Sequence, residues 1–150
     1  MMSYISGQAI TYSEGFIYFM GGYDARTNKI IKGCSRYNIV TEKWQLLNPM
    51  LFEIMEGAAC EINEYQVVVA GGVNSVGQNS DILQLYDVRE NQWRLFETCL
   101  STPRRLMTMV SSTKDRVMII GGRESDDTAS CIVEEFDFIK RNLVSLPVLK

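Results

Sequence analysis

Three apolar runs closed by paired glycines recur fifty residues apart: "IYFMGG" ends at Gly22, "VVVAGG" at Gly72 and "VMIIGG" at Gly122. Glycine after a β-like run permits φ > 0 and lets another group approach the backbone closely. A phosphate-cradling loop occurs once in a domain and leads into a helix. Here each pair is followed by a polar loop and then by another β-like run, so the glycines punctuate a repeating fold.

The rest of each period agrees. "CSRYNIVTEKWQLL" follows the first pair, "ILQLYDVRENQWRLF" the second and "IVEEFDFIKRNLVSL" the third. An aromatic residue, Tyr37, Tyr86 or Phe136, is followed seven positions later by Trp44, Trp93 or Leu143. Asn38, Asp87 and Asp137 come directly after the aromatic, which is the chemistry of a tight turn joining two strands. Before each glycine pair stands a further short run with a polar break, "QAITYSEG", "AACEINEY" and "MTMVSSTKD". Each period therefore predicts four short strands and no helix. They fall near 8–12, 16–21, 32–38 and 43–47; near 58–62, 66–71, 82–87 and 92–96; and near 106–111, 116–121, 131–137 and 142–146.

A chain of 150 residues with 46% apolar content has the size and the core of one domain. Its net charge of -3, with Lys and Arg scattered rather than clustered, gives no electrostatic footprint for nucleic acid or anionic lipid. No apolar run approaches the roughly 20 residues of a membrane span, and "MMSYISGQAI" lacks the pattern of a signal peptide. The expectation is a cytoplasmic protein with no nucleic-acid or membrane partner. Cys34, Cys60, Cys99 and Cys131 lie 26, 39 and 32 residues apart without a CxxC pair, and there is no histidine. They read as buried free thiols. Without histidine the chain offers no Ser-His or Cys-His nucleophile and no histidine-held metal, so neither a metal nor another cofactor is expected.

The glycine pair after an apolar strand, with the aromatic and tryptophan seven apart at a period of fifty, resembles the Kelch repeat, and the resemblance covers essentially the whole chain. It implies an all-β fold of three four-stranded antiparallel blades, about 5–50, 51–100 and 101–150, that is, a partial β-propeller. It also implies that Gly21, Gly22, Gly71, Gly72, Gly121 and Gly122 leave room for close backbone approach, and that Trp44 and Trp93 bring large apolar area to the contact between blades. Leu143 departs from the pattern: it stays apolar but loses area, so the third blade is expected to pack less well. The aromatics Tyr4, Tyr12, Phe16, Tyr18, Phe19 and Tyr65 read as core or channel lining.

Propellers typically have about four to eight blades, and this chain supplies three with no stray strand to join first to last. It reads as a fragment of a longer protein, as half of a six-bladed ring closed by a homodimer, or as an open fan. In Kelch receptors, ligands sit on the face made by the loops after each glycine pair and the loops joining blades. By position that face carries Tyr23, Asp24, Arg26 and Asn28; Asn74, Ser75, Gln78 and Asn79; Arg123, Glu124, Ser125 and Asp126; and, in the joining loops, Glu53, Glu56, Ser101, Arg104 and Arg105. The candidate partner-binding residues are Tyr23, Asp24, Arg26, Asn28, Asn74, Gln78, Arg104, Arg105, Arg123 and Glu124, with the arginines suited to a carboxylate-bearing peptide. The resemblance implies a non-catalytic interaction module with a protein or peptide ligand, such as the recognition part of a Kelch-like ubiquitin-ligase adaptor or an actin-binding protein. Copper-oxidase chemistry lacks its histidines, and an epimerase-like site would have to draw on Glu14, Glu61 and Glu64.

Overall fold

The computed structural model describes residues 4–148, which contain strands, turns and no helix. In chain order the strands are β1 (Ile5–Ser6), β2 (Ala9–Ser13), β3 (Phe16–Met20), β4 (Tyr23–Asp24), β5 (Lys29–Ile30), β6 (Cys34–Asn38), β7 (Lys43–Leu47), β8 (Ala58–Asn63), β9 (Gln66–Ala70), β10 (Leu83–Asp87), β11 (Gln92–Leu95), β12 (Thr108–Thr113), β13 (Arg116–Ile120), β14 (Val133–Asp137) and β15 (Asn142–Leu146). Each repeat is one antiparallel four-stranded sheet, ordered β2-β3-β6-β7, β8-β9-β10-β11 and β12-β13-β14-β15. The first strands of the three sheets are neighbours, with β8 between β2 and β12, so the blades fan outward from one inner edge.

The turn chemistry repeats as closely as the glycines do. The Asn38 carboxamide accepts from the amides of Val40 and Thr41, Asp87 from Arg89 and Glu90, and Asp137 from Ile139 and Lys140, all at 2.9 to 3.0 Å. Those bonds close the hairpin between the third and fourth strands of each blade. They set the register that places Tyr37 opposite Trp44, Tyr86 opposite Trp93 and Phe136 opposite Leu143.

Blade stacking makes the core. One apolar cluster joins Ala9, Tyr18, Met20 and Cys34 of the first blade to Val67, Val69, Tyr86 and Trp93 of the second. Another joins Ala58, Cys60, Val68 and Leu83 of the second blade to Val117, Ile119 and Phe136 of the third. Strand β9 is therefore covered on both faces, and its unbroken run of valines is the pattern that two-sided burial demands.

The chain passes from one blade to the next directly over a glycine pair. The Gly22 amide donates to the Ile54 carbonyl at 2.7 Å, and the Gly72 amide to the Arg104 carbonyl at 2.8 Å. At Gly71 (φ +61°) an added Cβ would lie 2.5 Å from that Arg104 carbonyl and closer still to the Met107 methyl. At the outer end of the first junction, Asn91 Oδ1 accepts from the Asn48 amide and the Asn91 carbonyl from the Asn48 carboxamide, while the Trp93 indole donates to the Asn48 carbonyl at 2.9 Å.

Several expectations need correction. Trp44 is 63% exposed, stacked on Phe19 and Tyr37 at 5.1 Å but facing away from the second blade, on a side of the first sheet that no other blade covers. Ile10, Tyr12 and Leu46 share that open side, so Tyr12 is not core, and Tyr4 is exposed as well. Cys34 and Cys60 are buried free thiols whose burial pushes their pKa values up to about 12 and about 11. Cys99 and Cys131 are exposed instead, because they sit in the loops leading from and into outer strands rather than within a sheet. A further small sheet, β1-β4-β5, leaves no mark in the sequence, because its two-residue strands are too short to show a period.

Gly71→Ala is expected to destabilise the chain by about 2 to 4 kcal/mol, combining a left-handed backbone with a clash against a fixed carbonyl. Gly77→Ala, also at positive φ but with nothing within 4 Å, should cost only about 1 kcal/mol. Urea unfolding of the two variants side by side separates the steric contribution from the conformational one.

Candidate functional site

The loops after the glycine pairs and the joining loops lie together, tied by short bridges: Met55 pairs with Val73 at the first junction and Arg105 with Arg123 at the second. These are equivalent positions in successive repeats with opposite chemistry. At the first junction an apolar pair floors an open cleft of about 540 Å³, walled by Tyr23, Asn28, Lys29, Ile30, Glu53 and Ser75. At the second, Arg105 reaches both Glu56 at 2.7 Å and Asp127 at 2.8 Å, and Arg123 donates to the Asp127 carbonyl at 2.7 Å. That junction is closed by its own charges.

The candidate residues divide accordingly. Tyr23 and Asn28 line the cleft, hydrogen-bonded to one another across the β4–β5 turn, and Asn28 adopts φ +57° there. Asp24 stands beside them and accepts from the Arg26 amide at 2.9 Å, the main cause holding its carboxyl below the usual range. Arg26 places its guanidinium 5.4 Å from the centre of the Tyr4 ring. Asn74 shapes the next loop, its carboxamide accepting from the amides of Val76 and Gln78 at 3.1 and 3.0 Å. Gln78 returns the bond through its backbone, its carbonyl accepting from the Asn74 amide at 2.9 Å. Arg105 and Arg123 meet at the second junction, where Glu124 contributes backbone bonds to Thr128 and Asp127. Asp126 is engaged by the Thr128 amide and hydroxyl, and Asp127 by the two arginines, so both aspartates of this loop are held by protein donors.

Arg104 is a correction. It is fully buried beside Glu134, also fully buried, and its guanidinium reaches the Gly121 and Ile132 carbonyls at 3.4 Å. Glu134 also accepts from the Ser101 amide at 3.1 Å. The pair clasps the joining loop to the third blade and presents nothing to a partner. One blade earlier Gln84 does the same job without charge, accepting from the Phe52 amide at 2.9 Å and donating to its carbonyl at 3.2 Å. The arginine follows from the carboxylate: a buried Glu needs a buried cation.

The cleft residues that sequence reasoning missed are Lys29, Ile30, Met55 and Val73. A signal was present, since an apolar pair at 55 and 73 stands where arginines stand at 105 and 123. Ser75 donates to the Glu53 carboxylate at 2.6 Å and lowers its pKa, with a smaller contribution from Lys32. Glu14, Glu61 and Glu64 gather at the opposite end of the fan, in a broad basin of about 700 Å³ shared with Asp87, Arg89 and Lys114.

Two measurements test this geometry. Glu53, lowered in the folded state, adds stability that is present above its unfolded pKa and lost as pH falls through the folded value. Ser75→Ala should raise the Glu53 pKa in a carboxyl NMR titration and shrink that acid-side loss. Glu134→Ala should cost about 3 to 5 kcal/mol by stranding the Arg104 charge, whereas replacing both by Leu and Met should cost clearly less. A double-mutant cycle in urea reads the difference.

The Kelch motif family matches residues 56–99, the second blade and its hairpins. The chain is also 28% identical to Kelch-like protein 35 of Mus musculus over 109 residues. That alignment takes in 73% of this chain and 18% of the mouse protein, so the chain spans well under a quarter of this relative's length. The repeated signature, the three blades and both matches agree: the chain is similar to Kelch-repeat proteins in sequence and in the four-stranded sheet that each repeat forms.

Proposed function

We propose that the chain is a non-catalytic protein-interaction module whose loop face takes a peptide segment of a partner in the cleft between its first two blades. The observation that carries this reading is the contrast between equivalent junctions: Met55, Val73 and Ile30 form an apolar floor under a polar rim, while the second junction is sealed by arginines and carboxylates. A volume of about 540 Å³ lies within the range that holds a few side chains. An apolar anchor residue of the peptide fills the floor, and Lys29, Asn28 and Glu53 meet its backbone and flanking polar groups. Of the arginines that suggested an acidic ligand, Arg105 and Arg123 are already paired within the rim and Arg104 is buried on Glu134, so an apolar anchor replaces net charge as the main determinant. The wider role we infer, recognition of a client by a Kelch-like ubiquitin-ligase adaptor, rests on the family resemblance and on the mouse relative.

Selection of peptides from a display library against the purified chain tests the reading. Enriched peptides should share one large apolar residue, and Met55→Arg, which copies the second junction, should weaken them by about tenfold or more. Enrichment of peptides that bind Met55→Arg equally well would overturn it.

A further inference from the structure

Burial along the second strand of each blade has opposite phase at the two ends of the stack. Strand β3 buries Tyr18 and Met20 and leaves Ile17 and Phe19 partly open, whereas β13 buries Val117 and Ile119 and leaves Met118 and Ile120 partly open. Between them β9 buries both sets. The uncovered side of the first blade is thus the side that, on the second blade, packs back against the first. The uncovered side of the third is the side that, on the second, packs forward against the third. The two open faces are the two unlike halves of one junction.

Strand register lays out the face of the first blade as two rows, Ile10–Phe19–Ser35–Leu46 and Tyr12–Ile17–Tyr37–Trp44. On the third blade the rows are Val110–Met118–Glu135–Val144 and Thr108–Ile120–Val133–Leu146. Aromatic rows against aliphatic rows repeat the packing inside the chain, where Val68 and Leu83 share a cluster with Phe136. Glu135, the one charged residue in these rows, is already held by the Ser112 hydroxyl at 2.7 Å and by Arg116 at 3.3 Å. The backbone carries the same direction. Gly7, Glu56 and Leu106 occupy equivalent places in the three repeats, with φ of +63°, +57° and +55°. The Glu56 amide donates to the Gly7 carbonyl at 2.7 Å and the Leu106 amide to the Glu56 carbonyl at 2.8 Å. The Gly7 amide and the Leu106 carbonyl end this ladder without a backbone partner among the described residues.

We propose that a second copy of this chain covers both faces, the two copies closing head to tail about a twofold axis into a six-bladed ring. The third blade of each copy packs on the first blade of the other, and each Leu106 carbonyl accepts from the partner's Gly7 amide. Every group the two contacts need, unlike faces and unlike ladder ends, is present on this one chain, and a twofold pair uses all of them at once. Six blades fall within the roughly four to eight of closed propellers. Four strands of about five residues make a face of about 17 by 19 Å, so the pair covers on the order of 1,300 Å² in all, within the range of about 1,200 to 2,000 Å² for stable interfaces. Neither contact draws on Met55 or Val73, so the loop-face cleft stays free for its peptide.

Light scattering of the purified chain over about 1 to 100 μM should give a two-chain mass, with a dissociation constant on the order of 10 μM or tighter. Leu46 and Val144, one on each face, are 85% and 45% exposed, so Leu46→Arg and Val144→Glu should fold and should each restore the single-chain mass. Val76→Arg, 74% exposed on a loop outside both faces, should leave the two-chain mass unchanged. Hydrogen exchange at the Gly7 amide, slowed about tenfold or more at the concentrated end, checks the ladder without any substitution. A single-chain mass throughout, growth into ever larger species, a two-chain mass that Leu46→Arg splits but Val144→Glu does not, or Gly7 exchange indifferent to concentration would each overturn the proposal.

Discussion

Everything in this chain hangs on the second blade being covered from both sides. Val67 and Val69 point into the first junction and Val68 and Ala70 into the second, and all four are essentially inaccessible to water. A four-stranded sheet of this length has little to bury by itself, so neighbouring blades supply most of each other's core. Face-to-face packing in turn forces the joining segment to cross the sheet end at close range. Only glycine leaves the space, which is why Gly21 and Gly71 lie directly beneath the crossing loops.

The two junctions share a backbone plan and differ in nearly every side chain that decides chemistry. The first is held by neutral groups, Gln84 on the joining loop and Trp93 on Asn48, and leaves an apolar floor on its loop face. The second is held by charge, the buried Arg104–Glu134 pair within and the Arg105–Asp127–Arg123 knot above, and leaves its opening at the outer edge. A repeat scaffold allows this because each junction is stabilised locally, so one can trade an indole for an ion pair without disturbing the next.

The fold was readable because its determinants are local and recur. Glycine pairs, Asn or Asp turns and the aromatic partners each act within a few residues, and their threefold repetition removes the ambiguity of any single copy. The site was only half readable. Tyr23 and Asn28 were found by loop position, but loop position says nothing about direction, and Arg104 turned inward to meet a carboxylate thirty residues away. Trp44 was misplaced for a related reason. The sequence tells which residue faces along the stack, not whether a neighbour stands there.

The exposed stack of Trp44 on Phe19 and Tyr37 has a further consequence. The chain has two tryptophans, one 63% and the other 6% exposed, each on a cross-strand aromatic partner at nearly equal distance. They form a matched pair of intrinsic fluorophores. Trp93 emits from inside a blade junction and reports whether the stack is intact. Trp44 emits from the uncovered end, and its emission would shift to the blue under any apolar cover. The protein thus carries a built-in optical gauge of any cover placed over its first blade, readable without a label.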